Sequence, residues 1–202
     1  MIRRPFSKRS LPALVVLCLA WSANAARAEE DDTEALAKKS QNPVSTLISV
    51  PFENNVNFNA GPRDRTDDVL SIKPVIPVSL TEDWNLINRV ILPIVSQGSR
   101  MPGRDRETGL ADTTYQAFLS PAESEKLIWG VGPSLVLPTG TDRRLTSDKW
   151  SLGPSVVLLT MPGHWVVGTV VSNVWSIAGD NRDPGVNALN LQYFINYNMK
   201  GG

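Results

Sequence analysis

The stretch Leu127–Thr160, LIWGVGPSLVLPTGTDRRLTSDKWSLGPSVVLLT, contains one pattern twice. In its first half every odd position up to Leu137 is apolar, and in its second half every even position from Trp150 to Leu158 is apolar. A polar segment at residues 139–149 separates the two halves. Apolar residues at every second position over about ten residues indicate a β-strand with one apolar face. The stretch therefore predicts two long antiparallel strands joined by a loop.

The two predicted strands also share a sequence motif. WGVGPSLVL begins at Trp129 and WSLGPSVVL begins at Trp150, 21 residues later. The glycines inside these strands, Gly130, Gly132 and Gly153, suit close packing or curvature, because glycine contributes no side chain to a sheet.

The first 28 residues have the features of a signal peptide. A basic start is followed by a short apolar run at residues 11–21, which is too short to cross a bilayer as a helix of about 20 residues. Small residues predict cleavage after Ala25 or Ala28. The only cysteine, Cys18, lies within this run. The mature chain is therefore expected to lack disulfides, thiol catalysis and thiolate metal sites.

Removal of the signal peptide changes the charge balance. The whole chain has 20 basic and 20 acidic residues, and five of the basic residues precede residue 29, which leaves 20 − 5 = 15 against 20. A mildly acidic chain without a basic cluster argues against nucleic acid as a partner. No later apolar run is long enough for a membrane helix, so a membrane location would require strands closed on themselves.

A leader segment is predicted between the signal peptide and the strands. Residues 29–43 are acidic and then rich in Ala, Leu and Lys, and they could form a short helix before the break at Asn42-Pro43. We interpret this segment as a periplasmic leader. A plug inside the lumen of a barrel is the alternative.

Alternation of apolar and polar residues predicts eight strands after the leader. The connections between them alternate in length: those expected at residues 59–68, 96–111, 139–149 and 178–186 are long, and those at 81–83, 121–126 and 161–164 are short. Pro74 and Pro77 interrupt the second strand and predict a bulge or an irregular pair there. Residues 165–177 are apolar at both parities, so this pattern does not tell which face they bury. The predicted strands occupy residues 44–58, 70–80, 84–94, 113–120, 127–137, 150–160, 165–177 and 189–197.

These regularities predict an all-β protein, an antiparallel up-and-down transmembrane β-barrel. Outer-membrane barrels have short periplasmic turns and longer external loops, as the connections here do. Tryptophans fall at both expected interfaces, three at the short-turn end and two near the long loops. They are Trp84, Trp129 and Trp165 at the first end, and Trp150 and Trp175 at the second.

The predicted location is the outer membrane of a Gram-negative bacterium. Expected partners are outer-membrane lipid, lipopolysaccharide and the barrel-assembly machinery. Residues 44–202 form the expected barrel domain, and we expect it to be incomplete at the C-terminus, because it ends near a predicted turn and not on an aromatic-terminated strand. About eight strands would then belong to a larger barrel. The alternative is an exported soluble β-sandwich in the periplasm, with a binding or structural role.

Several phrases of the sequence resemble one bacterial family. The opening phrase QNPVSTLISVPFENN lies at residues 41–55, and DWNLI at 83–87 and LIWGVGP at 127–133 continue it. Together they are similar to the outer-membrane transporters grouped as the "MetA-pathway of phenol degradation" family, whose members are often labelled transporter or neuromedin U. The resemblance implies a channel or transporter-like protein for small aromatic or other hydrophobic compounds. It also implies further strands beyond this sequence.

If the apolar positions of each strand face lipid, the positions that alternate with them line the lumen. One interpretation is a pore lining that favours a small polar or aromatic solute. The other is that the charged members, Glu53, Lys73 and Arg89, pair with one another inside the barrel, because buried charge requires a partner. The candidate lining residues are Glu53, Asn55, Asn57, Lys73, Arg89, Gln116, Asn190, Gln192, Asn196 and Asn198.

No catalytic constellation is evident, and we expect no enzyme activity, cofactor or metal. The only histidine, His164, lies in a predicted tight turn, where a structural role is favoured over a zinc ligand or a catalytic base. Acidic pairs in the external loops lack the spacing of a calcium motif.

Overall fold

The computed structural model describes residues 33, 35–60, 65–98, 106–123, 126–179 and 185–199. The predicted signal peptide and its cleavage sites lie outside these residues. Residues 35–41 are helical and precede the first strand. In the part of the chain that the structure describes, no helix is long and apolar enough to cross a membrane. The strands are β1 (Phe52–Ala60), β2 (Arg65–Ile72), β3 (Val75–Ser79), β4 (Trp84–Gln97), β5 (Glu107–Leu110), β6 (Thr113–Pro121), β7 (Ile128–Leu137), β8 (Lys149–Thr160), β9 (Trp165–Gly179) and β10 (Asn187–Tyr197).

All of these strands belong to one antiparallel sheet. Its order is β1-β2-β4-β6-β7-β8-β9-β10, with β3 and β5 also paired to β4. Because β3 continues the line of β2 along one edge of β4, and β5 continues the line of β6 along the other, the ten strands form eight antiparallel lines. The sheet curls into a half-barrel. The predicted all-β, antiparallel up-and-down architecture is confirmed.

The second predicted strand is broken, as its prolines indicated. β2 ends at Ile72 and β3 begins at Val75, so Lys73 and Pro74 form the irregular step between them. Both pieces remain on β4, because proline removes a ladder hydrogen bond only locally.

Two of the predicted long loops are wrong in their extent. The loop expected at residues 96–111 contains β5, which pairs with residues 94–97 of β4. The loop expected at 59–68 is too long, since residues 59–60 belong to β1 and residues 65–68 belong to β2. Pairing with an existing neighbouring strand overrides the low strand propensity of these polar and glycine-containing segments.

The first strand begins later than the alternation predicts. Residues 44–48 form turns in which the Val44 N–H donates to Asn42 Oδ1 at 2.9 Å and the Leu47 N–H donates to Ser45 Oγ at 3.1 Å. Asn and Ser side chains commonly stabilise turns in this way. Regular pairing starts at Phe52, after an isolated bridge between Ser49 and Val75.

The two faces of the curled sheet carry different side chains, as the alternation of apolar and polar residues predicts. Along β8 the odd positions other than Gly153 are buried on the concave face, whereas Trp150 and the apolar residues that follow at even positions are exposed on the convex face. β9, whose facing the sequence left open, buries Val166, Val170 and Val174 and exposes Trp175. The exposed apolar side chains of the convex face include Val56, Ile76, Val78, Leu119, Val131, Leu152, Val156, Leu158, Leu189, Leu191 and Ile195.

The two Gly-Pro-Ser copies lie side by side and interrupt the sheet. Pro133 of β7 pairs directly with Pro154 of β8. Because proline lacks a backbone N–H, regular pairing is lost on the outer side of each, between β6 and β7 and between β8 and β9. The gaps lie between the pairs Gln116↔Ser134 and Leu119↔Val131, and between the pairs Leu152↔Trp175 and Ser155↔Ser172.

Glycine is required at both interruptions. A Cβ atom at Gly132 would lie 1.7 Å from the carbonyl oxygen of Ala117, and one at Gly153 would lie 1.8 Å from that of Asn173. No side chain fits at such distances, so these glycines allow neighbouring strands to approach closely. The prediction that strand glycines serve close packing is confirmed here.

Aromatic side chains gather at the two ends of the sheet. At the short-turn end, the rings of Trp84 and Trp129 meet edge to face with centroids 5.9 Å apart, and those of Trp165 and Tyr197 are 4.8 Å apart. Trp150 lies at the start of β8, at the long-loop end. The predicted distribution of tryptophans over both ends is confirmed.

Candidate functional site

The concave face is apolar at the short-turn end. Buried aliphatic and aromatic side chains from β3, β4, β6, β8 and β9 form one cluster there, which we call the interior cluster. Because these side chains contact one another, this end of the interior is packed. The interior cluster consists of Val44, Val75, Ile87, Phe118, Val157, Leu159, Val166 and Val170, with Ile128, Met161 and Phe194 packed against it.

The leader segment contributes to this cluster. Val44 is almost fully buried, and its Cγ1 atom lies 3.2 Å from the position of a Cβ atom built at Gly130. Gln41 Nε2 donates to Asn198 Oδ1 at 2.8 Å, and Asn198 Nδ2 donates to the carbonyl oxygen of His164 at 3.3 Å. The leader therefore lies against the concave face and is attached to the C-terminal end of β10.

A cavity of about 450 Å³ opens between the leader and the concave face. Its volume falls within the range of about 300–1,000 Å³ that small-molecule sites occupy. Both polar and apolar groups reach it, from the leader, β1, β4, β9 and β10. The cavity is lined by Ser40, Gln41, Asn42, Pro43, Ser49, Val50, Pro51, Glu53, Lys73, Val75, Arg89, Val170, Gln192, Phe194 and Asn196.

An ion pair forms one wall of the cavity. Lys73 Nζ lies 2.5 Å from Glu53 Oε2, and the other carboxylate oxygen of Glu53 accepts from Asn55 Nδ2 at 2.8 Å. The Lys73 side chain is only 11% exposed, whereas that of Glu53 is 45% exposed. The interpretation that charged residues pair inside the barrel thus holds for Lys73 and Glu53.

Arg89 lies in a polar row that crosses the sheet. Arg89 NH1 donates to Gln116 Oε1 at 3.3 Å, and Gln116 Nε2 donates to Ser134 Oγ at 3.5 Å. On the other side of Arg89 the row is no longer polar throughout, because it passes through the apolar cross-strand partner Val75 before it reaches Ser49. Arg89 is 7% exposed and Gln116 is 3% exposed, so the guanidinium is held by its neighbours within the concave face.

The structure brings together half of the predicted lining residues. Glu53, Lys73, Arg89, Gln192 and Asn196 line the cavity. The remaining candidates lie outside its wall.

Those remaining candidates differ in position. Gln116 is buried next to Arg89, and Asn55 touches the wall only through Glu53. Asn57 and Asn190 are exposed, and Asn190 does not line the cavity. Asn198 holds the leader.

Sequence reasoning missed several residues in and next to the site, among them Phe194, Ser134 and Gln41. Phe194 is an apolar residue at an inward position of β10, and it lines the cavity while packing on the interior cluster. Ser134 could have been found from the sequence, because it belongs to the first of the two Gly-Pro-Ser copies. Gln41 had no signal in the sequence, because its role depends on the leader folding back.

His164 lies in the turn before β9, where its ring is 5.9 Å from that of Tyr197. Within the described residues, no group of three or more His, Cys, Asp or Glu side chains could hold a metal ion.

The fold and the site together define a class of protein. A curled antiparallel sheet that exposes apolar side chains on its convex face and holds polar and charged groups on its concave face has a β-barrel-like design. The chain belongs to the family described as "Putative MetA-pathway of phenol degradation", which matches residues 53–201. The resemblance read from the sequence is therefore confirmed. No curated protein and no solved structure matches the chain.

Proposed function

We propose that this protein is an outer-membrane channel or transporter for small aromatic or other hydrophobic compounds in a Gram-negative bacterium. The observation that carries the proposal is the convex face, where apolar side chains are exposed along seven of the eight lines of the sheet, and β4 is the exception. An apolar surface of this extent is unfavourable in water, whereas lipid tails would cover it.

The aromatic side chains support the same orientation. Tryptophan and tyrosine rings favour the boundary between lipid and water, and they occur at both ends of this sheet. In the proposed orientation the short turns and the leader face the periplasm, and the long loops face outward. Lipid, lipopolysaccharide and the barrel-assembly machinery are the proposed partners.

The compound class follows from the family. Its description names phenol degradation, so an aromatic compound is the proposed cargo. The cavity offers the space and the mixture of polar and apolar walls that such a compound needs. We propose binding and passage without chemical change, and therefore no catalytic group, cofactor or metal.

A soluble β-sandwich was the alternative, and the sheet topology disfavours it. A sandwich buries the apolar faces of two sheets against each other. Within the described residues all ten strands belong to one sheet, and its apolar face is the exposed one.

The first test is the gel mobility of the native full-length protein from isolated outer membranes, compared before and after boiling. A closed barrel resists detergent at room temperature, so we expect a band that shifts on boiling and fractionates with the outer membrane. An unshifted band in the soluble periplasmic fraction would overturn the proposal. Uptake of phenol into vesicles that contain the protein then tests the cargo, with empty vesicles as the control.

A further inference from the structure

We propose that the cavity binds a small aromatic carboxylate, and that Arg89 holds its anionic group. This inference rests on the proposed function, because it names the substrate class of the same cavity. The proposal distinguishes an aromatic acid from a neutral phenol or hydrocarbon.

Arg89 is the residue that points to an anion. Its guanidinium has five N–H donors and lines the cavity, yet among the described residues its side chain makes one hydrogen bond, to Gln116, and no ion pair within 4.0 Å. Glu53 attracts the guanidinium through space but is in contact with Lys73, so among the described residues no carboxylate oxygen contacts the buried Arg89 charge, which is unfavourable. A guanidinium binds a carboxylate through two parallel hydrogen bonds, so an aromatic acid would supply the absent partner.

The remaining charges of the cavity leave Arg89 available. Lys73 and Glu53 lie 2.5 Å apart and neutralise each other. Among the described lining residues these three are the charged ones, so the wall carries one net positive charge. A single anionic group of the ligand balances it.

The apolar part of the wall fits a compact ring. Val75, Val170 and Phe194 line the cavity from three different strands, and Pro51 adds a fourth apolar surface. Aromatic rings pack edge to face or with an offset against Phe side chains. Because Val75 pairs with Arg89 across β3 and β4, apolar wall and cation are neighbours.

Two further groups would bind a polar substituent on the ring. Ser49 Oγ and Gln41 Oε1 are buried without a hydrogen-bond partner and line the same cavity. Ser49 lies in the row that contains Val75 and Arg89. A ring hydroxyl could donate to Gln41 or exchange a hydrogen bond with Ser49, so hydroxylated aromatic acids should bind more tightly than unsubstituted ones.

The test uses the full-length protein, folded in detergent and shown to shift on boiling. Calorimetric titrations with benzoate and with benzamide compare two ligands of nearly the same shape, of which only benzoate is charged. We expect benzoate to bind at least about tenfold more tightly than benzamide, because only benzoate forms charge-assisted hydrogen bonds. Equal affinities, or no heat for either ligand, would overturn the proposal.

Variants assign the effect to Arg89. Arg89→Gln should weaken benzoate binding at least about tenfold and leave benzamide binding unchanged, and Arg89→Lys should retain an intermediate affinity for benzoate. Arg144→Gln is the matched control, since Arg144 pairs with Glu107 of β5 and with Asp142 of its own loop and does not line the cavity. If Arg89→Gln fails to fold, Arg89→Lys together with the wild-type comparison still decides the question. Equal loss of both ligands in Arg89→Gln would overturn the role of Arg89.

The failure of this inference differs from the failure of the proposed function. A boiling-sensitive outer-membrane band without preference for benzoate would overturn the anion site and leave the channel proposal standing. A soluble periplasmic protein that binds benzoate through Arg89 would overturn the channel and support the site.

Discussion

The close approach of β6 and β7 at Gly132 leads to a sharp prediction for stability. A Cβ atom there would lie 1.7 Å from the carbonyl oxygen of Ala117, which belongs to the main chain and cannot rotate away. In Gly132→Ala, that oxygen would have to retreat by about 1.7 Å to reach the 3.4 Å of an ordinary contact. The strands would separate at a point where their pairing is already interrupted.

The expected cost has two parts. Forcing an extra carbon into a packed site costs about 1–3 kcal/mol. Separation of the strands would break one or two hydrogen bonds at about 0.5–1.5 kcal/mol each. We therefore expect Gly132→Ala to lower the free energy of unfolding by about 2–6 kcal/mol.

Gly130, two residues earlier in β7, provides the control. A Cβ atom there would meet only side chains, those of Phe118, Val157 and Val44, at 3.1–3.2 Å. Side chains can shift by a few tenths of an ångström, and alanine also restricts the unfolded chain, so Gly130→Ala should stay within about 1 kcal/mol of the wild type. Urea titration of the full-length protein in lipid vesicles, followed by tryptophan fluorescence, measures both variants. Equal stabilities of Gly132→Ala and Gly130→Ala would refute the reasoning.

Three further predictions concern the interior and the two ends of the sheet. Lys73→Met leaves the half-exposed carboxylate of Glu53 without its cation, and we expect the free energy of unfolding to fall by about 1–3 kcal/mol in urea titration. Adding Glu53→Gln to this variant should restore part of the loss. If the effects of the two substitutions simply add, the pair is not coupled. Val44→Asp places a charge in the interior cluster and should cost about 3 kcal/mol or more in the same titration, whereas an unchanged midpoint would place the leader away from the concave face. In vesicles, brominated lipids should quench the tryptophan fluorescence more when the bromine lies near the headgroups than near the bilayer centre, and the opposite order would contradict the two aromatic ends.

The strand pattern was predictable where the two faces differ in polarity. β8 shows this clearly, because its even positions are apolar and exposed while Ser151 and Ser155 lie on the buried side. The paired lengths of β7 and β8, and the close approach at the strand glycines, followed from the same repeated stretch.

The facing of β9 could not be predicted, for a physical reason. Apolar and polar residues alternate along a strand only where the two faces of the sheet have different surroundings. At the short-turn end both faces of the sheet are apolar. Val166 and Val170 belong to the interior cluster, while Trp165 is exposed on the convex face. The polarity of a strand then carries no information on which side is inside.

The candidate site was only partly predictable, because it depends on tertiary placement. The positions that alternate with apolar ones included Glu53, Lys73 and Arg89, and all three line the cavity. The same positions also included Asn190, which is exposed on β10 outside the cavity. The leader's share of the wall follows from turns at Asn42 and Ser45 that fold it back, and local alternation carries no sign of such a turn.

The position of the leader bears on the order in which the molecule assembles. Residues 35–48 precede every strand, yet Val44 lies within the interior cluster that the later strands complete. Burial of Val44 requires the strands that surround it, and those strands in turn bury their inward apolar side chains against it. We therefore expect docking of the leader and curling of the sheet to occur together, as one cooperative step.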